Sequence, residues 1–357
     1  MWQFMASFVH RLLQKGCSAH LLISPNFGWM NKQYVSITHY NDSPDQIHPL
    51  FKRISSYIRF NKSHYDKIFQ EYPPKALLIV SWHTLNFPLI RMIKSRYPQA
   101  KILFWLHEPY KDEKKIYGLK ALLIWFIEFL QTLCLRYADA VILHSRRGLR
   151  LFNKRYPEFK GIKEVIPLHF QDDGFDTKVS RRYISFLGRA DRAKGIEEFF
   201  QLVEAGARRQ LNYDFQIVTS SDIQQYLNGL SATALRKLRV VHRPRLSDNE
   251  LREGAANSLA VLALYRETMQ SGVIPIALMK GTPIIGTNVE GITEWIRDRE
   301  TGVIISNKPT IEEFQAAITY IQDHIEDMMV SCRSQYLATF DDRNWDKHYG
   351  WLRSIIP

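Results

Sequence analysis

Cysteine is scarce in this chain: Cys17, Cys134 and Cys332 are the only three among 357 residues. Their wide separation excludes a CxxC metal site, and their odd number argues against a secreted disulfide framework. A reducing cytosol fits this usage. Long apolar runs are lacking too. No stretch reaches the roughly 18 apolar residues that a membrane-spanning helix needs. His10, Arg11 and Lys15 interrupt the first apolar stretch, so no signal peptide is expected. Low-complexity tracts and short-period repeats are missing, as are zinc-finger, basic-zipper and RNA-recognition signatures, which leaves no nucleic-acid partner to expect.

What is present is an ordinary folded composition, 45% apolar and 24% charged. The length exceeds that of a single hydrophobic core, so two domains are expected. A net charge of +12 favours a phosphate-bearing partner: an anionic membrane surface, a nucleotide-linked substrate or nucleic acid. The cations are spread over the whole length rather than gathered in one module.

Helical spacing of Phe4, Phe8, Val9, Leu12 and Leu13 ends at Gly16. Short apolar runs then predict strands at 19–24, 76–80, 101–106 and 140–144, each following a helical or charged segment. That is the alternation of a parallel α/β sheet. After Val165-Ile166-Pro167 comes a polar stretch, and the alternation restarts: strands at 183–187, 215–219, 240–242, 259–264 and 283–286, with a helix at 195–207. The expected layout is a first domain over 1–170, a linker over 171–182, a second domain over 183–335, and a terminal helix within 336–357. A doubly wound domain opens on a strand and a glycine-rich turn. This chain starts at the helix, so its first domain reads as lacking that strand and the sequence as truncated.

Three motifs carry chemistry. Strand 183–187 runs into Gly188-Arg189, with Lys194-Gly195 following before a helix. A Gly turn flanked by two cations at the carboxyl end of a parallel strand can hold a diphosphate. The same residues also fit a solvated loop with surface cations. Gln270-Ser271-Gly272-Val273 follows the strand at 259–264 and opens a helix, whose amides would point toward an anion. A plain strand-loop-helix unit fits it equally. In Gly291…Glu294…Thr301-Gly302, Gly291 suits a tight turn before a helix, and Glu294 is expected in that helix's first turn, where the dipole favours it.

The order and spacing of Gly188-Arg189…Lys194-Gly195, Gln270-Ser271-Gly272, Gly281-Thr282-Pro283 and Gly291…Glu294…Thr301-Gly302 resemble the group 1 retaining glycosyltransferases. The likeness covers residues 183–306 well. It reaches more loosely to Tyr137-Ala138-Asp139-Ala140-Val141-Ile142…Ser145, to Val165-Ile166-Pro167, and to Asn344-Trp345-Asp346…Tyr349. The resemblance implies a GT-B fold: two Rossmann-like α/β domains facing a cleft, with the donor held mainly by the second and the acceptor by the first. It implies transfer of a sugar from a nucleotide-diphosphate sugar to a glycan or lipid-linked acceptor, with no metal or cofactor, in cell-surface polysaccharide or lipopolysaccharide synthesis on the cytoplasmic side. A non-catalytic scaffold or binding subunit of the same fold is the alternative.

Arg189 and Lys194 match the family's Arg-x4-Lys diphosphate pair and would be catalytic together with His107, whose His107-Glu108-Pro109 segment resembles a His-Asp-Pro segment of related enzymes. Gly188, Thr268, Gln270, Ser271, Gly272, Val273 and Glu294 would bind the donor, and His83 and Glu108 would serve the acceptor side. The family's Glu-x7-Glu pair falls here on Thr268 and Ile276, with Glu267 one residue out of register. The pattern resembles a branch in which Gln-Ser-Gly-Val-Ile-Pro replaces that pair. Finally, the apolar stretch 121–133, preceded by Lys111, Lys114, Lys115 and Lys120, reads as an interfacial helix beside an anionic bilayer or as a helix buried between layers. Apolar residues on nearly every face favour burial.

Overall fold

The computed structural model describes residues 2–17, 20–23, 36–39, 62–80, 85–107, 119–268 and 270–356. The chain divides into two compact units, residues 167–344 and residues 4–166 together with 345–357.

The first unit opens with helix α1 (Trp2–Gln14) and the parallel strand pair β1 (His20–Ile23) and β2 (Ser36–His39). Helix α2 (Lys62–Glu71), strand β3 (Ala76–Ile79), helix α3 (Asn86–Arg96), strand β4 (Lys101–Leu106), helix α4 (Leu119–Leu135), strand β5 (Ala140–Leu143), helix α5 (Arg146–Arg155) and strand β6 (Ile162–Val165) follow. Strands β3 to β6 form a parallel sheet in sequential order. Ile102 to Leu106 and Ala140 to Leu143 are buried without alternation, because helices cover both faces of a parallel sheet. Asp139 fastens β4 to β5: its carboxylate accepts from the Ile102 amide at 2.8 Å and from Lys101 at 3.2 Å. Ser145 caps α5 by accepting from the Gly148 amide at 3.0 Å. Two of the residues that resemble the family thus have structural work here.

Helix α4 departs from expectation. Leu130, Cys134 and Leu135 are buried, but Trp125 is 61% exposed and Phe129 45% exposed, with their rings stacked 5.7 Å apart. The near-uniform apolarity of the sequence pointed to burial all round; at Trp125 and Phe129 the fold leaves the helix uncovered. Among the described residues no helix is long and apolar enough to cross a membrane.

The second unit runs β7 (Tyr183–Leu187), α6 (Ile196–Arg208), β8 (Asp214–Thr219), α7 (Gln224–Leu227), α8 (Ala232–Arg236), β9 (Leu238–His242), α9 (Asp248–Ala256), β10 (Ser258–Ala263), α10 (Val273–Met279), β11 (Ile284–Thr287), α11 (Glu290–Thr293), β12 (Gly302–Ile305), α12 (Ile311–Asp323) and α13 (Ile325–Thr339). Its six strands are all parallel, in the order β12-β11-β10-β7-β8-β9. Helix α6 shows how the sequence builds the layer. Ile196, Phe199, Phe200, Val203 and Ala207 recur at helical spacing and are all buried, Phe199 meeting Phe186 and Phe215 of the sheet. Glu197 and Glu198 fill its first turn, where the dipole favours acids.

The last helix, α14 (Trp345–Ile355), belongs to the first unit. Trp345 packs 4.7 Å from the Phe8 ring of α1 and 5.4 Å from Trp105 of β4, and Asp346 pairs with Lys15 at 3.1 Å.

Candidate functional site

Topology locates the candidate site within the second unit. The chain leaves β7 for β8 and β9 on one side, then returns to place β10 against the other side of β7. Where strand order reverses, loops from adjacent strands diverge and leave a crevice at the carboxyl ends. Two loops flank this crevice: residues 188–195 after β7, and residues 264–268 and 270–272 after β10.

In the first loop, Gly188 has φ 90° and Gly195 φ 79°, both in the left-handed region. Gly195 also lies so close to the second loop that a Cβ there would stand 2.4 Å from the Leu264 carbonyl oxygen. Asp191 organises what lies between. Its carboxylate accepts from the Lys194 amide at 3.1 Å, starting a short 3-10 turn over Arg192–Lys194, and pairs with Arg189 Nε at 2.6 Å. The Arg189 side chain is 73% exposed, so its guanidinium can turn from Asp191 to an incoming anion.

The second loop meets the first through Tyr265. The Lys194 ammonium stands 3.6 Å above the Tyr265 ring centroid, and the Arg266 amide donates to the Ala193 carbonyl at 3.0 Å. Burial pushes the Tyr265 phenol up to about 12, so it keeps its proton. Its hydroxyl lies 2.7 Å from Ser271 Oγ, which also accepts from the Val273 amide at 3.3 Å. Gly272 is the residue before α10, and Gly188 approaches the same spot: a Cβ on it would lie 3.4 Å from Val273 Cγ2. Thr268 shapes the turn, its hydroxyl donating to the Gln270 carbonyl at 2.6 Å. The structure therefore brings Gly188, Arg189, Lys194, Gln270, Ser271, Gly272 and Val273 to one pair of neighbouring loops.

Glu294 needs a correction. Helix α11 covers only Glu290–Thr293, so the first-turn acid is Glu290, and Glu294 is the C-terminal cap. A carboxylate at that end gains nothing from the helix dipole. Gly291 is likewise inside the helix rather than in a turn before it; it is packed on the backbone of Thr268. Ile276, on which the family's second glutamate position falls, is a buried core residue of α10.

In the first unit, His107 stands directly after β4 and is half-buried. Its Nδ1 lies 2.9 Å from Nε2 of the buried His144, and the two rings stack 4.6 Å apart. At the other side of His144, Nδ1 faces the Ile166 carbonyl at 3.0 Å and the Trp105 indole N–H at 3.4 Å. These two contacts exclude each other in a neutral ring, and the shorter assigns the proton to His144 Nδ1. His144 Nε2 is then an acceptor for His107 Nδ1–H, which leaves His107 Nε2 without a proton. Burial pushes His107 down to about 4, so the ring is neutral near pH 7. His83 and Glu108 lie outside the described residues.

Asp191, Tyr265 and His144 are not among the residues that the sequence motifs single out. Asp191 carried a usable signal, since an Asp immediately before a helical turn is an N-cap pattern. Tyr265 and His144 carried none, because an aromatic or a histidine at the end of a buried strand is ordinary core.

Residues 181–324 match the family described as "Glycosyl transferases group 1". No curated protein sequence matches the chain. Among solved structures, sucrose-phosphate synthase from Thermosynechococcus elongatus is 16% identical with a TM-score of 0.72, over 98% of this chain and 93% of that one. A glycosyltransferase from Rickettsia africae is 15% identical with a TM-score of 0.71, over 99% and 94%. Anabaena HepE, solved in complex with UDP and glucose, is 14% identical with a TM-score of 0.68, over 99% and 95%. The chain has the GT-B fold, and the family match supports the group 1 glycosyltransferases and glycosyl transfer.

Proposed function

We propose that the protein is a retaining glycosyltransferase that moves a sugar from a nucleoside-diphosphate donor to a glycan or lipid-linked hydroxyl. One observation carries the reading. Arg189, Lys194 and Ser271 converge at the strand-order reversal of the second unit, inside the segment that matches the family. That Anabaena HepE binds UDP and glucose on the same fold supports a nucleotide-sugar donor. In this mechanism Arg189 and Lys194 neutralise the diphosphate as it leaves, which is stabilisation of developing charge. The acceptor hydroxyl attacks on the face the phosphate leaves, and the phosphate takes its proton, so no metal and no carboxylate base is required. His107 of the first unit is the candidate for holding an acceptor hydroxyl. Its ring, neutral near pH 7, is suited to hydrogen-bonding a sugar hydroxyl rather than to forming an ion pair with a phosphate.

The test is a thermal-shift screen of UDP-, GDP-, ADP- and CDP-sugars, followed by donor hydrolysis and transfer with the best binder. A donor that stabilises the protein and is turned over supports the reading. Absence of hydrolysis and transfer with a bound donor would support the scaffold alternative, which the buried Ile276 at a family glutamate position favours.

The acceptor class carries a second expectation. The stacked, exposed Trp125 and Phe129 lie beside a cationic helix: Glu128, between them in sequence, pairs with Arg155 of α5 at 3.2 Å. Helix α5 holds Arg146, Arg147, Arg150, Lys154 and Arg155 and no acid. Exposed aromatics beside a basic face suit an anionic bilayer and a lipid-linked acceptor, as on the inner face of a plasma membrane during cell-surface polysaccharide or lipopolysaccharide synthesis. The protein should pellet with phosphatidylglycerol vesicles at low salt and be released as salt rises. Trp125→Glu should weaken pelleting at least about tenfold while leaving the melting temperature unchanged, since desolvating a charge at the interface opposes binding. A Trp125→Glu protein that melts lower but pellets like wild type would remove the membrane reading.

A further inference from the structure

We propose that Tyr265 is the positioning residue of the donor site: its ring seats the Lys194 ammonium, and its hydroxyl turns the Ser271 hydroxyl proton toward the donor diphosphate. The inference rests on the glycosyltransferase reading and names a device within that site that no cation motif contains.

Tyr265 is 4% exposed at the mouth of β10, and Thr287 Oγ1 donates to its carbonyl at 2.6 Å, so the residue is fixed by the sheet and not by the loop. Two mobile groups are held against this fixed ring. A lysine ammonium on a four-carbon stem carries much rotamer freedom. Here Nζ sits 3.6 Å over the ring face, where the quadrupole attracts it. The ammonium therefore waits beside the anion site with part of its ordering cost already met.

The hydroxyl does the second task. Of two hydroxyls 2.7 Å apart, only one can donate to the other. Phenol is the stronger acid, so Tyr265 O–H donates and Ser271 Oγ accepts. Ser271 Oγ accepts from the Val273 amide as well, at 3.3 Å. With both acceptor positions occupied, its own proton must point elsewhere, as a donor for a ligand oxygen. A buried serine, 8% exposed, becomes a directed donor through its neighbour.

The probes are UDP and inorganic pyrophosphate, titrated calorimetrically into the full chain, with Tyr265→Phe, Tyr265→Leu and Ser271→Ala. Tyr265→Phe keeps the ring and should weaken both probes by about tenfold, the scale of one hydrogen bond to a charged group. Tyr265→Leu should weaken them further by loosening Lys194. The decisive comparison is the double variant. If Tyr265 acts through Ser271, adding Tyr265→Phe to Ser271→Ala should cost no further affinity. Additive losses, or a Tyr265→Phe protein that binds like wild type, would overturn the proposal. If Tyr265→Leu does not fold, Tyr265→Phe and the double variant still decide. A wild-type chain that binds neither UDP nor another nucleoside diphosphate would instead overturn the donor-site reading itself.

Discussion

Replacing Lys194 or Arg189 by alanine should lower sugar-transfer turnover on the order of 100-fold, the usual loss when one partner of a developing charge is removed. The two losses should have different origins. Lys194 is seated over Tyr265, so its removal takes away a charge already in place. Arg189 is paired with Asp191 at 2.6 Å and must exchange that carboxylate for the donor phosphate. Part of its binding energy is spent on the exchange, so Asp191→Asn should shift donor affinity while Lys194 remains in place. The fold should survive both alanine substitutions, because the Arg189 side chain is 73% exposed and its surface ion pair contributes little to stability. Arg192→Ala is the control. That arginine lies in the same loop, but its guanidinium is 77% exposed and pairs with Glu197 at 2.7 Å. It should keep turnover within about threefold of wild type, since exposed pairs are worth little. Folded Lys194→Ala and Arg189→Ala proteins with full activity would sink the donor-site assignment.

How far the sequence could be read depended on which physical signal each residue carried. Strands 101–106 and 183–187 were legible to the residue, because a strand buried on both faces is a continuous apolar run. Other expected strands and helices were off by a residue or two, as at helix Ile196–Arg208, where Gly195 is the left-handed residue before the helix and not its first turn, while strands Ser36–His39, Ile162–Val165 and Gly302–Ile305 were not expected. The cation pair was legible because Gly turns and charges at a strand end have a local signature. The ring beneath Lys194 was not, because Tyr265 looks like core until the fold brings β7 and β10 side by side. His144 was hidden for the same reason: its partner His107 is 37 residues away, on the neighbouring strand. Glu294 and Gly291 failed differently. The helix there is one turn long, too short for periodicity to fix its start, and a one-residue error changes an N-terminal acid into a C-terminal cap. Trp125 and Phe129 show the limit of apolarity as a guide to burial, since composition alone cannot tell which face of an apolar helix the fold leaves uncovered.

Gly291→Ala should be among the most damaging single substitutions in the second unit, and for a reason other than backbone freedom. Gly291 lies within α11 and has no left-handed backbone angle, so alanine meets no conformational penalty there and should even favour the helix. The obstacle is space. A Cβ at this position would stand 1.9 Å from the Thr268 carbonyl oxygen and 2.8 Å from the carbon behind it. Neither atom belongs to a flexible side chain, so the backbone of one element has to move. Overpacking of this kind costs about 1–3 kcal/mol, and overlap with main-chain atoms belongs at the upper end. The displaced segment would be the turn that Thr268 makes with Gln270, next to Ser271, so donor affinity should fall with stability. Gly350→Ala gives the opposite sign. Gly350 is exposed in α14 with nothing within 4 Å of its Cβ position, and alanine there should stabilise by about 0.5–1 kcal/mol through helix propensity alone. Urea denaturation of both variants, with UDP titrations of Gly291→Ala, makes the comparison. A Gly291→Ala protein as stable as wild type would show that the Thr268 turn yields freely, and would remove the close packing of α11 as the support of the donor loop.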